Sequence, residues 1–331
     1  MRVAAMAALW ILSTGWAHTA SRDDALSSYR RDCERGAAPA CYNLALAHMK
    51  GVGVPKDPAK AAQLFQTACL ARVPEACFNY AIMTSAGSGV PKDVARGAEY
   101  FRKGCDGDHP ASCGALGRAY FKGEGMPRDD AKAAEYFQEA CDGGDAKGCF
   151  NAATLHTTGA GVPKDLSRAA ELHQRACDGG DLEGCFMLGV MHHQALGVRA
   201  DAAKAARLMQ RVCDGGKPKG CFNLGFLYLG GEGVPKDEAK AAGNFRVACE
   251  GGVAKSCYNA GLVYSRGIGV AKDLATGAAY YGKGCDEDVA EACFNLAVAY
   301  TNGEGVVKDA VKSQVLRAKA CKGGIAQTCA R

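Results

Sequence analysis

The chain has 331 residues, a net charge of +5 and a composition in which 48% of the residues are hydrophobic. Its 40 basic and 35 acidic side chains are spread along the whole sequence, unlike the clustered charge of proteins that bind nucleic acid or a charged membrane surface. An ordinary chain of this length forms two domains, but a chain of repeats escapes this expectation because each repeat contacts only its neighbours.

Residues 1–20 differ from the rest of the chain. A short basic start precedes an apolar run over residues 3–12, and small residues then extend to Ala20. This order is typical of a secretory signal peptide, with cleavage predicted after Ala17 or Ala20. The apolar run is too short to span a bilayer, so we expect a secreted or periplasmic protein that is not inserted in a membrane once the signal is removed.

The cysteines form a C-x7-C unit that recurs every 36 residues and uses all 18 of them. A fixed period of this length predicts a solenoid of stacked supersecondary units. The first members of the units are Cys33, Cys69, Cys105, Cys141, Cys177, Cys213, Cys249, Cys285 and Cys321, and the second members are Cys41, Cys77, Cys113, Cys149, Cys185, Cys221, Cys257, Cys293 and Cys329.

In chain order, the pattern predicts a leading helix over residues 22–35, eight helix pairs over residues 40–327, and a short stub of a further helix at the C-terminus, all within one repeat domain, 22–331. In the first pair, helix A covers 41–50 and helix B covers 58–70. Positions 41, 44, 45 and 48 share one face of helix A and are expected to pack inward. The predicted fold is therefore all-α, an α/α solenoid of antiparallel helix pairs.

The loop between helix A and helix B repeats the pattern Gly-x-Gly-Val-Pro-Lys-Asp. Glycine suits a left-handed C-cap, and the aspartate is predicted to be the N-cap of helix B, where its carboxylate accepts from the amides of the first turn. One carboxylate per loop supplies too few oxygens for calcium. The aspartates are Asp57, Asp93, Asp129, Asp165, Asp201, Asp237, Asp273 and Asp309.

Disulfides in an oxidising compartment explain the cysteines better than zinc, because zinc sites usually need closer cysteine spacings. Pairing within each C-x7-C unit requires the chain to reverse at the intervening turn, and it uses every cysteine. The alternative joins Cys41 to Cys69 across one helix pair, and so on along the chain, which leaves Cys33 and Cys329 unpaired. We favour the first pairing, and peptide mapping without reduction separates the two.

Three features together resemble Sel-one-like repeats, which are relatives of tetratricopeptide repeats: helix A as in Phe222-Asn-Leu-Gly-Phe-Leu-Tyr228, the glycine-rich loop, and an Ala-Ala-x-x-Phe helix B. With the added C-x7-C units, residues 22–331 resemble the secreted cysteine-rich Hcp family, also called the Hcp beta-lactamase family. The resemblance implies a right-handed superhelix of disulfide-linked helix pairs. It also implies either a protein-binding scaffold or an enzyme that binds penicillin and hydrolyses beta-lactams.

The fifth repeat departs from the pattern. His192-His-Gln-Ala195 replaces the usual aromatic-x-x-Gly, and Arg199-Ala200 replaces Pro-Lys. Either the loop differs in shape here or the site is specialised.

Positions 43, 46 or 47, and 50 of helix A lie opposite its core face, and by analogy with tetratricopeptide arrays they are expected to line a concave groove. A column of asparagines there can hold an extended peptide by its backbone, or each amide can simply bond its own helix or a turn. These asparagines are Asn43, Asn79, Asn151, Asn223, Asn259 and Asn295. Neighbouring side chains that vary between copies are Lys50, Arg118, Lys122, Met191, Phe226 and Arg266.

His156, His173 and His192 are candidates for a metal cluster, but they stand where other copies have aromatic residues, so we predict neither a metal nor a cofactor. The sequence lacks the S-x-x-K, S-D-N and K-T-G motifs of serine beta-lactamases and the H-E-x-x-H motif of zinc hydrolases, and no catalytic residue can be named. The preferred interpretation is an exported scaffold that binds a protein or peptide partner. The alternatives are binding or hydrolysis of a beta-lactam or peptidoglycan-derived ligand, and a structural role in the envelope.

Overall fold

The computed structural model describes residues 14–326 and residue 329, with side chains described from residue 24 onward. Within these ranges the chain forms seventeen α-helices and no strand. They are α1 (Thr14–Glu34), α2 (Ala38–Lys50), α3 (Pro58–Leu70), α4 (Pro74–Ala86), α5 (Val94–Cys105), α6 (Pro110–Lys122), α7 (Asp130–Asp142), α8 (Ala146–Thr158), α9 (Leu166–Asp178), α10 (Leu182–Gln194), α11 (Ala202–Asp214), α12 (Pro218–Gly230), α13 (Glu238–Glu250), α14 (Ala254–Arg266), α15 (Leu274–Asp286), α16 (Ala290–Asn302) and α17 (Ala310–Lys322).

Consecutive helices pack side by side from α1 to α8 and from α9 to α17. The even-numbered helices from α2 onward are the predicted helices A, and the odd-numbered ones from α3 onward are the predicted helices B. This arrangement confirms the all-α solenoid. The helices divide into two compact units, of which the first ends at Lys164 and the second begins at Asp165.

The predicted leading helix corresponds to α1, which begins earlier than expected, at Thr14. Most of the apolar part of the predicted signal peptide and most of the C-terminal stub lie outside the described residues, whereas both predicted cleavage positions lie within α1. None of the described helices combines the length and the apolar character needed to cross a membrane.

The loop between helix A and helix B is built as its sequence predicts. Gly51 ends α2 in the left-handed conformation (φ 71°) and donates its N–H to the carbonyl of Ala47. The carboxylate of Asp57 then accepts from the backbone N–H of Lys60 at 2.9 Å, which caps α3. All eight aspartates of this series make the same bond, so the predicted N-caps are confirmed.

The second glycine of this loop is required by a neighbouring repeat. A Cβ on Gly233 would lie 2.1 Å from the backbone carbonyl carbon and oxygen of Ala202, at the start of α11 in the preceding pair. Gly233 also has a φ of +70°. The loop therefore rests directly on the N-terminus of the preceding helix B, and both the conformation and the contact exclude a side chain.

In the fifth repeat, Ala195 replaces the first glycine of the loop, the one that caps helix A, and the cap conformation is kept. Ala195 adopts the left-handed conformation (φ 56°, ψ 39°) and its N–H bonds the carbonyl of Met191, as the cap glycine does elsewhere. Its sequence departure thus changes the residue and leaves the conformation of the cap as it is in the other repeats. An L-residue in this conformation costs about 1–2 kcal/mol.

The first eight disulfides each join the last turn of one helix B, or of α1, to the first turn of the next helix A, and the ninth joins α17 to Cys329, which lies outside the described helices. The Cα atoms of Cys69 and Cys77 are 4.6 Å apart, because the chain reverses between α3 and α4. The structure makes this bond within all nine C-x7-C units, and it does not contain the alternative pairing of Cys41 with Cys69.

Within each unit, the core lies between the helices that pack side by side. In α3, Ala61, Ala62 and Phe65 are all fully buried, which confirms the small-small-aromatic packing expected of helix B. The small residues allow helices to approach closely, and the aromatic ring fills the remaining space.

Candidate functional site

The asparagines of the predicted groove are all half-buried on helix A, and they differ in what they bond. The amide of Asn79 donates to the carbonyl of Glu75 at 2.8 Å, and that of Asn223 donates to the carbonyl of Lys219 at 3.0 Å. Both are bonds to the asparagine's own helix. Each leaves the side-chain oxygen as the atom that can accept from a ligand.

The remaining asparagines are not all satisfied within their own helices. Asn295 is hydrogen-bonded with the hydroxyl of Tyr281 on α15. The side chains of Asn43, Asn151 and Asn259 have no hydrogen-bond partner among the described residues. The structure thus places donors and acceptors along this face without assigning them a ligand.

Beside the asparagines, position 46 of helix A forms an apolar column in the second unit. It consists of Val190, Phe226, Leu262 and Val298 on the four successive helices α10, α12, α14 and α16. Three of these side chains are half-buried, and Phe226 is 44% exposed. We call these four residues the apolar column.

The first unit has a different series at this position. Leu46 and Ile82 are apolar, but Arg118 and Thr154 follow them. An uninterrupted apolar column is therefore a property of the second unit among the described residues. Comparing the eight copies position by position would have revealed it from sequence.

Position 47 belongs to the core and not to this face. Met191, named above as a candidate, is 3% exposed and packs in the core cluster with Leu188 and Leu208. That part of the prediction is wrong, because helix A packs against helices on two sides and the inward surface is wider than the i, i+3, i+4, i+7 stripe. By contrast, Lys50, Lys122 and Arg266 at position 50 are exposed as expected.

A cavity of about 130 Å³ opens between α10 and α12, next to the first two members of the column. Its walls include Val190, Phe226 and Met209, with Asn223 and Glu232 among the polar groups. The ring of Phe226 meets those of Phe222 and Phe245 edge-on, at centroid distances of 5.1 and 5.0 Å. These contacts hold an exposed aromatic side chain in one orientation.

A glycine makes this aromatic cluster possible. A Cβ on Gly225 would lie 2.7 Å from the ring of Phe245, which is 1% exposed. Because residue 225 has no side chain, α13 packs closely on α12, and the next residue, Phe226, is turned toward solvent.

A second cavity, of about 160 Å³, repeats this construction between α14 and α16. Leu262 and Val298 replace Val190 and Phe226, Asn295 replaces Asn223, and Glu304 replaces Glu232. The same position of the repeat thus supplies an apolar wall, an amide and a carboxylate to both cavities.

The polar groups at the two cavities are not equivalent. At the first, Nε2 of His193 lies 2.8 Å from a carboxylate oxygen of Glu232, an exposed pair that links two repeats. At the second, Arg266 lies in the wall with Glu304, and burial raises the pKa of the Tyr281 hydroxyl, against the opposing effect of hydrogen bonds with Ser265 and Asn295.

A larger cavity, of about 550 Å³, lies away from this face, at the turns that follow α3 and α5 in the first unit. Its walls include Leu70, Arg72, Lys103 and Asp106 together with the Cys69–Cys77 disulfide. None of the six asparagines of the predicted groove lies in its walls, so this cavity is not part of the groove face.

The histidines fit the aromatic-replacement interpretation better than a metal site. His173 occupies the position of Phe65 and is 1% exposed, and burial lowers its pKa to about 4. His192 has Nδ1 3.3 Å from the carbonyl of Arg199. The group of potential metal ligands found among the described residues is Cys105, Cys113 and Glu139, and its two sulfurs are bonded to each other.

Among solved structures, the chain is similar to c5321, a protective antigen of uropathogenic Escherichia coli with an SLR fold. The identity is 25% and the TM-score 0.88, over 92% of this chain and 65% of that one. This chain thus spans just under two thirds of the length of c5321. A Sel1 repeat protein from Oxalobacter formigenes has 21% identity and a TM-score of 0.69, over 92% of this chain and 88% of that one.

A shorter match is the cysteine-rich protein B (HcpB) of Helicobacter pylori, with 28% identity and a TM-score of 0.31 over 38% of this chain and 90% of that one. No curated protein sequence matches the chain.

The Sel1 repeat family matches eight consecutive segments, which are residues 38–72, 74–109, 110–145, 146–181, 182–217, 218–253, 254–289 and 290–325. Each segment contains one helix A and the helix B that follows it. With these matches covering nearly all of the described residues, the chain belongs to the Sel1-repeat family.

Proposed function

We propose that this protein is an exported scaffold whose second unit binds an extended segment of a protein partner along the apolar column. The observation that carries the proposal is the repeated construction of the two cavities, each with an apolar wall, an amide and a carboxylate. A site that recurs two repeats further along the same face suits a ligand that is itself extended and repetitive, as a peptide backbone is.

The sizes of the two cavities favour side chains over a small molecule. Cavities of about 130 and 160 Å³ are smaller than the roughly 300–1,000 Å³ of typical small-molecule sites. Each has room for one apolar side chain of a partner. Phe226, exposed and held by two neighbouring rings, has the properties of an anchor residue at a protein interface.

The asparagines supply the polar part of the proposed site. An extended peptide presents an N–H and a carbonyl at every residue, and an amide side chain can bond either. The free side-chain oxygen of Asn223 and the unpartnered amide of Asn259 lie on neighbouring helices beside the column. They would therefore hold the backbone while the column receives side chains.

Export is part of the proposal and rests on the nine disulfides, because bonds of this kind persist in oxidising compartments and are rare in the cytosol. The signal peptide over residues 1–20 stays a prediction. The similar solved structures, the repeats and the cavities give no support to beta-lactam hydrolysis, and we assign no catalytic residue.

The test is selection of peptides from a random 16-residue phage-displayed library on the oxidised protein, followed by affinity measurement against variants. We expect Phe226→Ser with Leu262→Ser to weaken the selected peptides at least tenfold. The matched control is Val247→Ser, which changes a valine that is 43% exposed on α13 and lies outside the column. Circular dichroism of each variant checks that the helices are intact.

A second pair of variants tests the asparagines separately. Asn223→Ala and Asn259→Ala should weaken the same peptides severalfold without changing the helix content. Unchanged affinity in these variants would remove the asparagines from the proposal, whereas unchanged affinity in the Phe226 and Leu262 variant would refute the groove itself.

A further inference from the structure

The last helix, α17, exposes an apolar stripe. Val307, just before the helix, is 87% exposed, and Val311 and Val315 within it are 73% and 64% exposed. The next most exposed large hydrophobic side chain among the described residues is Leu70, at 62%. Val311 and Val315 are about one turn apart on the same face of α17, and Val307 lies in the loop that leads into the helix.

The charge of α17 is also unusual. The helix carries Lys312, Arg317, Lys319 and Lys322 and no acidic residue, and the other helices B have a smaller basic excess. Two of these lysines meet carboxylates outside the helix: Lys312 is 3.7 Å from Asp309, and Lys319 is 3.0 Å from Asp288. The side chain of Lys312 is 63% exposed, so its pair contributes little and can exchange partners. Lys319 is 37% exposed and also donates to the backbone carbonyl of Cys285 at 2.5 Å.

The exposure of the valines does not arise from the lack of a following repeat. The position of Val311 is exposed in all seven preceding helices B, where a helix A follows and alanine or serine stands there. The position of Val315 is exposed in six of them and half-buried at Gly243 in the other. Stacking a further repeat would therefore leave this face of α17 open.

The spacing on α17 is that of a helix-packing seam. Val311, Val315, Ala318 and Lys322 follow one another at intervals of 4, 3 and 4 residues, which places them in a row on one face. Lys312 and Lys319 lie on the same flank of that row, each one position after a member of it. In paired helices, this flank is where charges select the partner.

We infer that this face of α17, from Val311 to Lys322, docks an acidic amphipathic helix of another protein. The partner helix would cover the valines with its own apolar stripe and place glutamates or aspartates opposite Lys312 and Lys322, which are both exposed. Pairing with a second copy of α17 would instead bring like charges together. A membrane surface is a poorer match, because valine and alanine are too short to reach far below the lipid headgroups and no aromatic or leucine side chain lies in the row.

The probes are two peptides of three heptads with leucine at a and d, one with glutamate and one with lysine at e and g. Titrating them against the oxidised full chain should show at least tenfold tighter binding of the glutamate peptide. Val311→Ser with Val315→Ser should weaken it at least tenfold, and Lys312→Gln with Lys322→Gln should reduce the preference for glutamate. Val247→Ser is the matched control and should leave binding unchanged.

Other results would overturn the inference. Equal binding of the two peptides, or full binding by the double serine variant, would remove α17 as the docking face. If the protein binds vesicles of anionic phospholipid and the double serine variant does not, the face belongs to a lipid surface. If the protein sediments as a dimer and the double serine variant as a monomer, the face belongs to a second copy of the chain. Phe226→Ser should leave binding of the glutamate peptide unchanged, because Phe226 lies in the apolar column and not on α17. The groove proposal and the α17 proposal can therefore fail independently of each other.

Discussion

The contact between the A–B loop and the preceding repeat can be tested by adding one methyl group. Gly233→Ala and Gly216→Ala place alanine at two left-handed positions with nearly equal φ, +70° and +74°. A Cβ on Gly216 meets nothing within 4 Å, whereas a Cβ on Gly233 lies 2.1 Å from the carbonyl of Ala202 and 2.5 Å from the backbone nitrogen of Ala203. The pair therefore separates the conformational cost from the cost of the collision.

The expected magnitudes follow from these distances. The left-handed conformation costs alanine about 1–2 kcal/mol, and this is the whole effect expected for Gly216→Ala. For Gly233→Ala, the colliding atoms are backbone and cannot rotate away, so the loop must move by about 1 Å or more. Overpacking of this kind adds about 1–3 kcal/mol, which gives a total of about 2–5 kcal/mol.

The measurement is urea unfolding of the oxidised protein followed by far-UV circular dichroism, with the disulfides intact. Because stability in a solenoid is shared between repeats and their interfaces, we also expect Gly233→Ala to broaden the transition by uncoupling the sixth pair from the fifth. Equal loss of stability in the two variants would refute the reasoning, since the contact with Ala202 would then contribute nothing.

Three further predictions concern single residues. Ala195→Gly should raise the free energy of unfolding by about 1 kcal/mol, because glycine adopts the left-handed cap of α10 without strain, and a loss of stability in urea would contradict this. Asp57→Ala should cost about 1 kcal/mol and Asp57→Asn much less, since the asparagine oxygen still accepts from Lys60; equal losses would exclude capping as the cause. Burial lowers the pKa of His173 from 6.5 to about 4, so between these pH values the unfolded chain binds a proton that the folded chain does not. The free energy of unfolding should therefore fall by about 3 kcal/mol as the pH drops from 6.5 to 4. His173→Phe should remove most of this fall, and an unchanged pH profile would show that His173 is not its source.

The repeat made most of the fold predictable from the sequence. The period and the helix A and helix B patterns fixed the number and order of the helices, and the end of α3 was placed correctly at Leu70. The start of α2 was placed three residues late, because helix A includes the turn residues before Cys41. Local signals such as caps were predictable since they depend only on neighbouring residues.

Contacts between repeats were harder to predict from the sequence. The sequence shows that Gly233 is repeated but not that it rests on Ala202, because that contact depends on how one pair is placed on the next. The burial of Met191 was missed for the same reason. Aligning the copies reveals the apolar column from the sequence, whereas the stripe on α17 also needs the exposure of each position, which only the structure gives.

The disulfides also determine what a single cut in the backbone does to the molecule. A protease that cleaves between Cys141 and Cys149 leaves both pieces joined through sulfur, and the same holds inside each of the nine bonded units. A cut in an A–B loop such as 51–57 has no disulfide across it and leaves two pieces with no covalent link. Those loops are held in place by glycines in the left-handed conformation, a proline and the aspartate that caps the next helix. The loops where one cut would break the covalent chain in two are therefore also loops whose backbone is constrained.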